Sequence, residues 1–226
     1  MEIVHEGFRY EVIGDDLVLR GCDSTNLPDL RNPTHIPATI NGKTVVGIGR
    51  RAFYGLYMST ISFPATIKDV AEMAFANSDI EHVRFVRNHI NAGSKSLRLG
   101  ERVFENCRKL KSFETSQSVS IGWRAFSGCI ELDINNTALI ILNLQEDAFA
   151  SCRKVKSLCV ADYGTLKTGS IKNSSIENLR FVDHATLEEG VLEEIFEKEI
   201  TVYAMMDSPL LELAYKGIKT VEEFPF

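Results

Sequence analysis

The 226-residue chain has no apolar run approaching the ~18–20 residues that a membrane-spanning helix needs, so no membrane insertion is expected. Positive charge is also short. The 25 Lys and Arg against 31 Asp and Glu leave a formal net charge of −6, and no nucleic-acid partner is expected of such a chain. Residues 161–226 hold 6 basic against 13 acidic side chains, so the deficit sits at the C-terminal end, as on a solvated face. His5, His35, His82, His89 and His184 fall at no ligand spacing, and the five cysteines lack the paired arrangement of a zinc site. Five is an odd number, which favours a reducing compartment over a full set of disulfides. The opening Met1-Glu2-Ile3-Val4-His5-Glu6 has neither a basic start nor an apolar core, so no signal peptide is read there. A cytoplasmic location follows from this, or a surface one if a signal has been removed.

Self-similarity is abundant. Ala-Phe recurs at Ala52-Phe53, Ala74-Phe75, Ala125-Phe126 and Ala148-Phe149, with Val103-Phe104 as a near match. Five residues before each Phe stands an aliphatic residue: Ile48, Val70, Leu99, Ile121 and Leu144. The same spacing continues through Leu166 with Ile171 and Leu187 with Leu192. This predicts seven units anchored at residues 53, 75, 104, 126, 149, 171 and 192. After each anchor a short alternating apolar stretch, such as Ile61 and Phe63, Val83 and Phe85, or Ile134, predicts one strand with a buried face. A 22-residue unit cannot bury that face alone, but stacked copies can, so the pattern predicts a solenoid.

The ends read as caps. Phe8–Val12 and Leu17–Leu19 flank Gly14-Asp15-Asp16, and Thr39-Ile40 and Lys43–Val45 flank Asn41-Gly42, which predicts two hairpins. Ser208, Pro209 and the following Leu210, Leu211, Leu213 and Ala214, closed by Lys216-Gly217, predict a short helix. The expected organisation is an N-terminal β-hairpin cap over 1–33, a seven-unit solenoid over 34–203 and a C-terminal cap over 204–226, in one continuous domain.

The segment Ile121-Gly122-Trp123-Arg124-Ala125-Phe126-Ser127-Gly128-Cys129-Ile130-Glu131-Leu132 resembles the repeat of the BspA-like, or Treponema pallidum type, leucine-rich repeat family. Leu99-Gly100 through Cys107 and Leu110 nearly reproduces it, and Ile48-Gly49-Arg50-Arg51-Ala52-Phe53 matches with Leu56 at the Cys position. The resemblance implies a leucine-rich-repeat solenoid: a right-handed superhelix of short parallel β-strands with short helical turns, mostly β, capped by an N-terminal hairpin and a short C-terminal helix. It also implies adhesion or protein binding without catalysis, since secreted members are linked to host or matrix attachment.

Little in the chain points to chemistry. Gly47-Ile48-Gly49-Arg50-Arg51-Ala52 fits a dinucleotide fingerprint on paper, but Gly49 occupies a repeat position shared with Gly100 and Gly122. Cys107, Cys129 and Cys152 each lie three residues after an anchor and read as a buried thiol column, while Cys159 points outward between Leu158 and Val160. No catalytic residue, cofactor or metal ligand is assigned. The expected partner is a protein or glycan ligand, with an intracellular protein-interaction scaffold as the alternative to bacterial surface adhesion. Two surfaces are candidates. One is the outward strand column, with His82, Arg84, Asn178 and Arg180, whose mixed polarity also serves plain solubility. The other combines Arg51, Arg102 and Arg124, two before their anchors, with Trp123, which reads as a hot-spot residue or equally as surface packing folded over Arg124. Basic turns at Arg108-Lys109-Lys111 and Arg153-Lys154-Lys156 add a possible attraction for an acidic ligand. Seven extra residues between the second and third anchors form a loop over 86–96, with Arg87 and His89 as further candidates or as a neutral insertion.

Overall fold

Five phenylalanines repeated at a near-constant interval have one economical arrangement, which is to lie over one another. In the computed structural model the rings of Phe53, Phe75, Phe104, Phe126 and Phe149 do so, with successive centroids 4.9, 4.9, 5.1 and 5.2 Å apart. The structure describes residues 1–25, 28–86, 96–135, 137, 139–182, 184–205, 208, 210–212 and 218–223. The long second interval leaves the stack unbroken, because Phe75 and Phe104 are as close as their neighbours.

Strands β1 (Glu2–His5), β2 (Phe8–Ile13) and β3 (Asp16–Cys22) open the chain. Then come β4 (Thr34–His35), β5 (Thr39–Ile40), β6 (Lys43–Ile48), β7 (Thr60–Pro64), β8 (Asp69–Val70) and β9 (His82–Val86). The second half holds β10 (Ser96–Leu99), β11 (Ser112–Thr115), β12 (Ser118–Ile121), β13 (Ile140–Leu144) and β14 (Ser157–Leu166). It closes with β15 (Asn178–Phe181), β16 (Thr186–Leu187), helix α1 (Glu189–Glu197), β17 (Thr201–Met205) and β18 (Thr220–Glu223).

A typical unit carries two strands, where alternation predicted one. The leading strand ends on the aliphatic residue five before the anchor, and Ile48, Val70, Leu99, Ile121, Leu144, Leu166 and Leu187 sit in register across parallel neighbours. These strands escape a period-two reading because some, like β8, have only two residues. The trailing strand follows the anchor. Strands β4, β7, β9 and β11 form one parallel ladder, and β14, β15, β17 and β18 form another that belongs to the large sheet. Ten-residue β14 joins both systems: its start pairs with β15 and its end with β16. At the N-terminus β1, β2 and β3 pair antiparallel, and β3 then runs parallel to β6, which seats the hairpin on the first unit. Asn41 and Gly42 both have positive φ in the tight β5–β6 turn.

Between the two strands the anchor segment is a turn held in left-handed backbone at two positions. Arg51, Met73, Arg102, Arg124 and Asp147, two before their anchors, have φ of 53 to 56°. Two after the anchors, Gly55, Asn77, Asn106, Gly128 and Ser151 are also at positive φ, where Gly and Asn fit best. The turns stack through backbone hydrogen bonds to the following unit, as from Met73, Phe75 and Asn77 to Glu101, Val103 and Glu105. Close approach also explains the recurring glycine. A Cβ on Gly122 would meet the Gly100 carbonyl at 2.7 Å, so Gly49 and its equivalents serve turn stacking and lead into no cofactor helix.

The cysteine column is buried and closes this lattice. Cys107, Cys129 and Cys152 donate their S–H groups to the preceding anchors' carbonyls at Phe75, Phe104 and Phe126, at 3.0, 3.1 and 3.0 Å. Burial pushes the Cys107 thiol up to about 11 and Cys152 to about 12, so both stay protonated.

Two expectations are corrected. The seventh anchor, Leu192, is only partly buried at the edge of the core; α1 replaces that turn and buries Val191 and Ile195, four apart on one helical face. Gly169 and Ile171 would otherwise donate their amides to a following unit, and both instead donate to the buried Glu194 carboxylate of α1. Among the described residues the fourth unit shows no trailing strand around Ile134, although Ile134 itself is buried. Of the predicted C-terminal helix, Leu210–Glu212 form one 3₁₀ turn, and 209 and 213–217 lie outside the described residues.

Candidate functional site

Among the predicted surface residues, Trp123, Arg102 and Arg124 come together. The Trp123 ring is half-buried between two guanidinium groups, with Arg102 4.6 Å and Arg124 5.2 Å from its centroid. Glu105 and Asp147 approach the same arginines, with Arg124 Nε 3.6 Å from Asp147 and Arg102 Nε 3.7 Å from Glu105. The indole is therefore a spacer in an internally neutral stack, the packing alternative to a hot spot. Arg51 is separated from it by Met73 in the same column, and lies 5.2 Å from the Tyr54 ring.

The outward column is also internally satisfied over its first half. His82 Nδ1 is 2.9 Å from Ser112 Oγ, and Arg84 forms a two-pronged pair with Glu114. Arg87 and His89 lie outside the described residues. The basic turns are matched by acids of neighbouring units: Lys109 with Asp79 at 2.8 Å, Lys111 with Glu81 at 2.5 Å, Lys154 with Glu131 at 2.6 Å and Lys156 with Glu177 at 2.5 Å. The attraction for an acidic ligand predicted from these turns is thereby largely cancelled.

These ladders have a pH signature. Hydrogen bonds from Lys111, Lys154 and Lys167 hold the carboxyls of Glu81, Glu131 and Glu188 below the ordinary value of 4.5. A folded pKa below the unfolded one adds stability that is present above about 4.5 and lost as pH falls through the folded values. Thermal melts on acidification below that point should show a decline that is smaller at ~1 M salt, where exposed charges are screened. A decline of equal size in high salt would locate the acid sensitivity elsewhere.

Asn178 and Arg180 lie on a different part of the surface, beyond the missing fourth strand. Asn135 occupies the place that Phe113 and Leu158 hold in the neighbouring units, and its side chain does the work of a backbone. Its Oδ1 accepts from the amides of Lys156 and Ser157, and its Nδ2 donates to the Lys154 carbonyl at 2.7 Å. The chain then detours through Thr137 and Leu139, which wall a concavity of about 510 Å³. Its floor is the outward face of β14, β15 and β17, with Ser157, Cys159, Asn178, Arg180 and Tyr203. One row crosses four strands in register, Ile140, Cys159, Arg180 and Tyr203. The Arg180 guanidinium stands 5.0 Å from the Tyr203 ring centroid. Sequence reasoning found Asn178, Arg180 and the outward Cys159. It read Asn135 as one more residue of the outward column, and missed Thr137 and the part Asn135 plays in replacing backbone.

A second aromatic feature lies farther along the same segments. Tyr163 is 72% exposed at φ 56°, and its ring stacks on His184 with centroids 5.2 Å apart and planes 9° apart. His184 Nδ1 is 3.3 Å from Asp162 Oδ1. Among the described residues no three His, Cys, Asp or Glu side chains gather as a metal site, and no helix is long and apolar enough to cross a membrane.

Comparison with solved structures supports this architecture. A leucine-rich-repeat protein of T. pallidum superposes with a TM-score of 0.56 at 17% identity, covering 99% of each chain. A leucine-rich cell surface protein of Faecalibacterium prausnitzii superposes at 0.61 with 15% identity, over 92% of this chain and 55% of that protein. At such identities the likeness is one of fold. No curated protein matches the sequence. The sequence model of the BspA type leucine-rich repeat region matches residues 35–156 and 87–199, with six copies. Matched over most of its length by that repeat and folded as its stacked parallel ladders, the chain belongs to the BspA-type leucine-rich repeat family.

Proposed function

We propose that this chain is a non-enzymatic repeat module that binds a protein or glycan ligand, in the setting of bacterial cell-surface adhesion or host interaction. The observation that carries the reading is the interrupted trailing ladder. At the fourth unit the ladder opens into the concavity floored by Asn178 and Arg180. Concave surfaces with a few convergent polar groups are where ligands are held, and repeat proteins commonly bind along such faces. The F. prausnitzii neighbour is a cell surface protein, which agrees with display outside the cell.

Protease shaving of intact producing cells tests the setting. Release of this protein's peptides, with a cytoplasmic marker protected, supports surface display; peptides seen only after lysis overturn adhesion. The alternative of an intracellular scaffold draws on the five cysteines, all free thiols in the structure, which suit a reducing compartment. Beads coated with the full chain test the site. The Asn178→Ala, Arg180→Ala double variant should attach to host cells about tenfold less, with a stability change near about ±0.5 kcal/mol for the exposed Arg180. Undiminished attachment would remove the concavity from consideration.

A further inference from the structure

Tyr163 is placed where folding alone would not place it. In the preceding units the side chains entering the leading strand, Ile67, Leu97, Val119 and Ile141, are all fully buried. On the way into the sixth anchor Val160 holds that place opposite Ile141, residues 161–164 bulge out of the register before Thr165 and Leu166 resume it, and a Cβ on Gly164 would lie 2.6 Å from Val160 Cγ1 and 2.8 Å from the Ala161 carbonyl. The sharp bend therefore admits no side chain, and the adjacent Tyr163 turns outward in left-handed backbone that a bulky residue rarely adopts. Strained, exposed aromatics persist where a surface has a use for them. One face of the Tyr163 ring is held by His184, and with 72% of the residue exposed the opposite face is open to solvent. The Asp162 carboxylate sits beside this platform, hydrogen-bonded to His184.

The same two segments carry the floor of the concavity. Its groups are hydroxyl, amide and guanidinium, and the Tyr203 ring is overlaid by Arg180, so the floor provides no deep apolar socket for a peptide anchor. A flat exposed ring beside a carboxylate, followed by a polar trough, suits a ligand with apolar C–H faces and many hydroxyls. We infer that the outward face of β14 and β15 is a glycan-binding site. The Tyr163–His184 pair stacks on one sugar ring, and Asn178, Arg180 and Ser157 bond hydroxyls of the next. The inference rests on the binding reading above and specifies its ligand class.

The test is an array of neutral hexose and N-acetylhexosamine oligosaccharides probed with the full chain, followed by titration of the strongest oligosaccharide. Tyr163→Gly should bind roughly tenfold more weakly, the size of one aromatic contact. Its melting temperature should hold or rise, because glycine suits this φ. Tyr163→Phe, which keeps the ring, should bind like the parent. A blank array, or equal binding by Tyr163→Gly, overturns the assignment. Beads carrying the chain that still attach to host cells after periodate oxidation of surface glycans overturn it while leaving the binding reading intact. Beads that attach to neither treated nor untreated cells overturn both.

Discussion

Replacing Phe126 by alanine should destabilise the protein by about 3–5 kcal/mol, read as a lowered urea midpoint. Phe126 is fully buried, and its ring lies flat between Phe104 at 5.1 Å and Phe149 at 5.2 Å while Phe113 meets it edge-on at 5.3 Å. In a solenoid each unit touches only its neighbours, so a hole at a central anchor weakens two interfaces at once. The stacked geometry contributes about 0.5–1.5 kcal/mol per pair beyond area burial, which leucine cannot restore. Phe126→Leu should therefore recover part of the loss. A Phe126→Ala protein within about 1 kcal/mol of the parent would refute the stacked-anchor core.

Glu194→Ala should cost about 2–5 kcal/mol, concentrated at the C-terminal end of the stack. The carboxylate is 6% exposed and accepts the amides of Gly169 and Ile171, which belong to the last repeat turn. The anchor amides of Phe53, Phe75, Phe104 and Phe126 each donate to a carbonyl of the next unit, that of Phe126 to Ala148. Once α1 takes the place of the seventh turn, no such carbonyl is supplied, and one side chain substitutes for two backbone acceptors. Alanine would leave two buried donors unpaired. Native-state hydrogen exchange should show Gly169 and Ile171 losing protection first, while amides around Phe75 keep theirs. Glutamine, with one carbonyl oxygen, should recover about half of the loss. Uniform loss of protection along the chain would mean that the helix is not a local cap.

Asn135 and Glu194 share a logic. Both are polar side chains that replace missing backbone where the repeat fails. Neither stands out in the sequence: Asn135 lies between Ile134 and Asn136 just after Asp133, and Glu194 is one of several glutamates in an acidic stretch. Their roles follow from what lies beside them in the stack, some 20 to 25 residues away in sequence. The outward residues show the opposite case. Asn178 and Arg180 were legible as a pair on one strand, but only the absence of a neighbouring strand makes their face concave. For Trp123 the sequence left a hot spot and packing over Arg124 equally open, because nothing local announces that Arg102, one unit back, also covers its ring.

The spacing of Phe and aliphatic residues was enough to establish the repeat, its register and the buried thiols. A stack of identical units places equivalent residues about 5 Å apart whatever the partner, as its ring spacing shows. The second strand of each unit, the helix at the seventh position and the break at the fourth were settled in three dimensions. Strands of two residues carry no period, and the choice between turn, helix and strand at those places depends on which neighbour can satisfy the backbone. That competition is decided between units, by hydrogen bonds that a linear reading cannot pair.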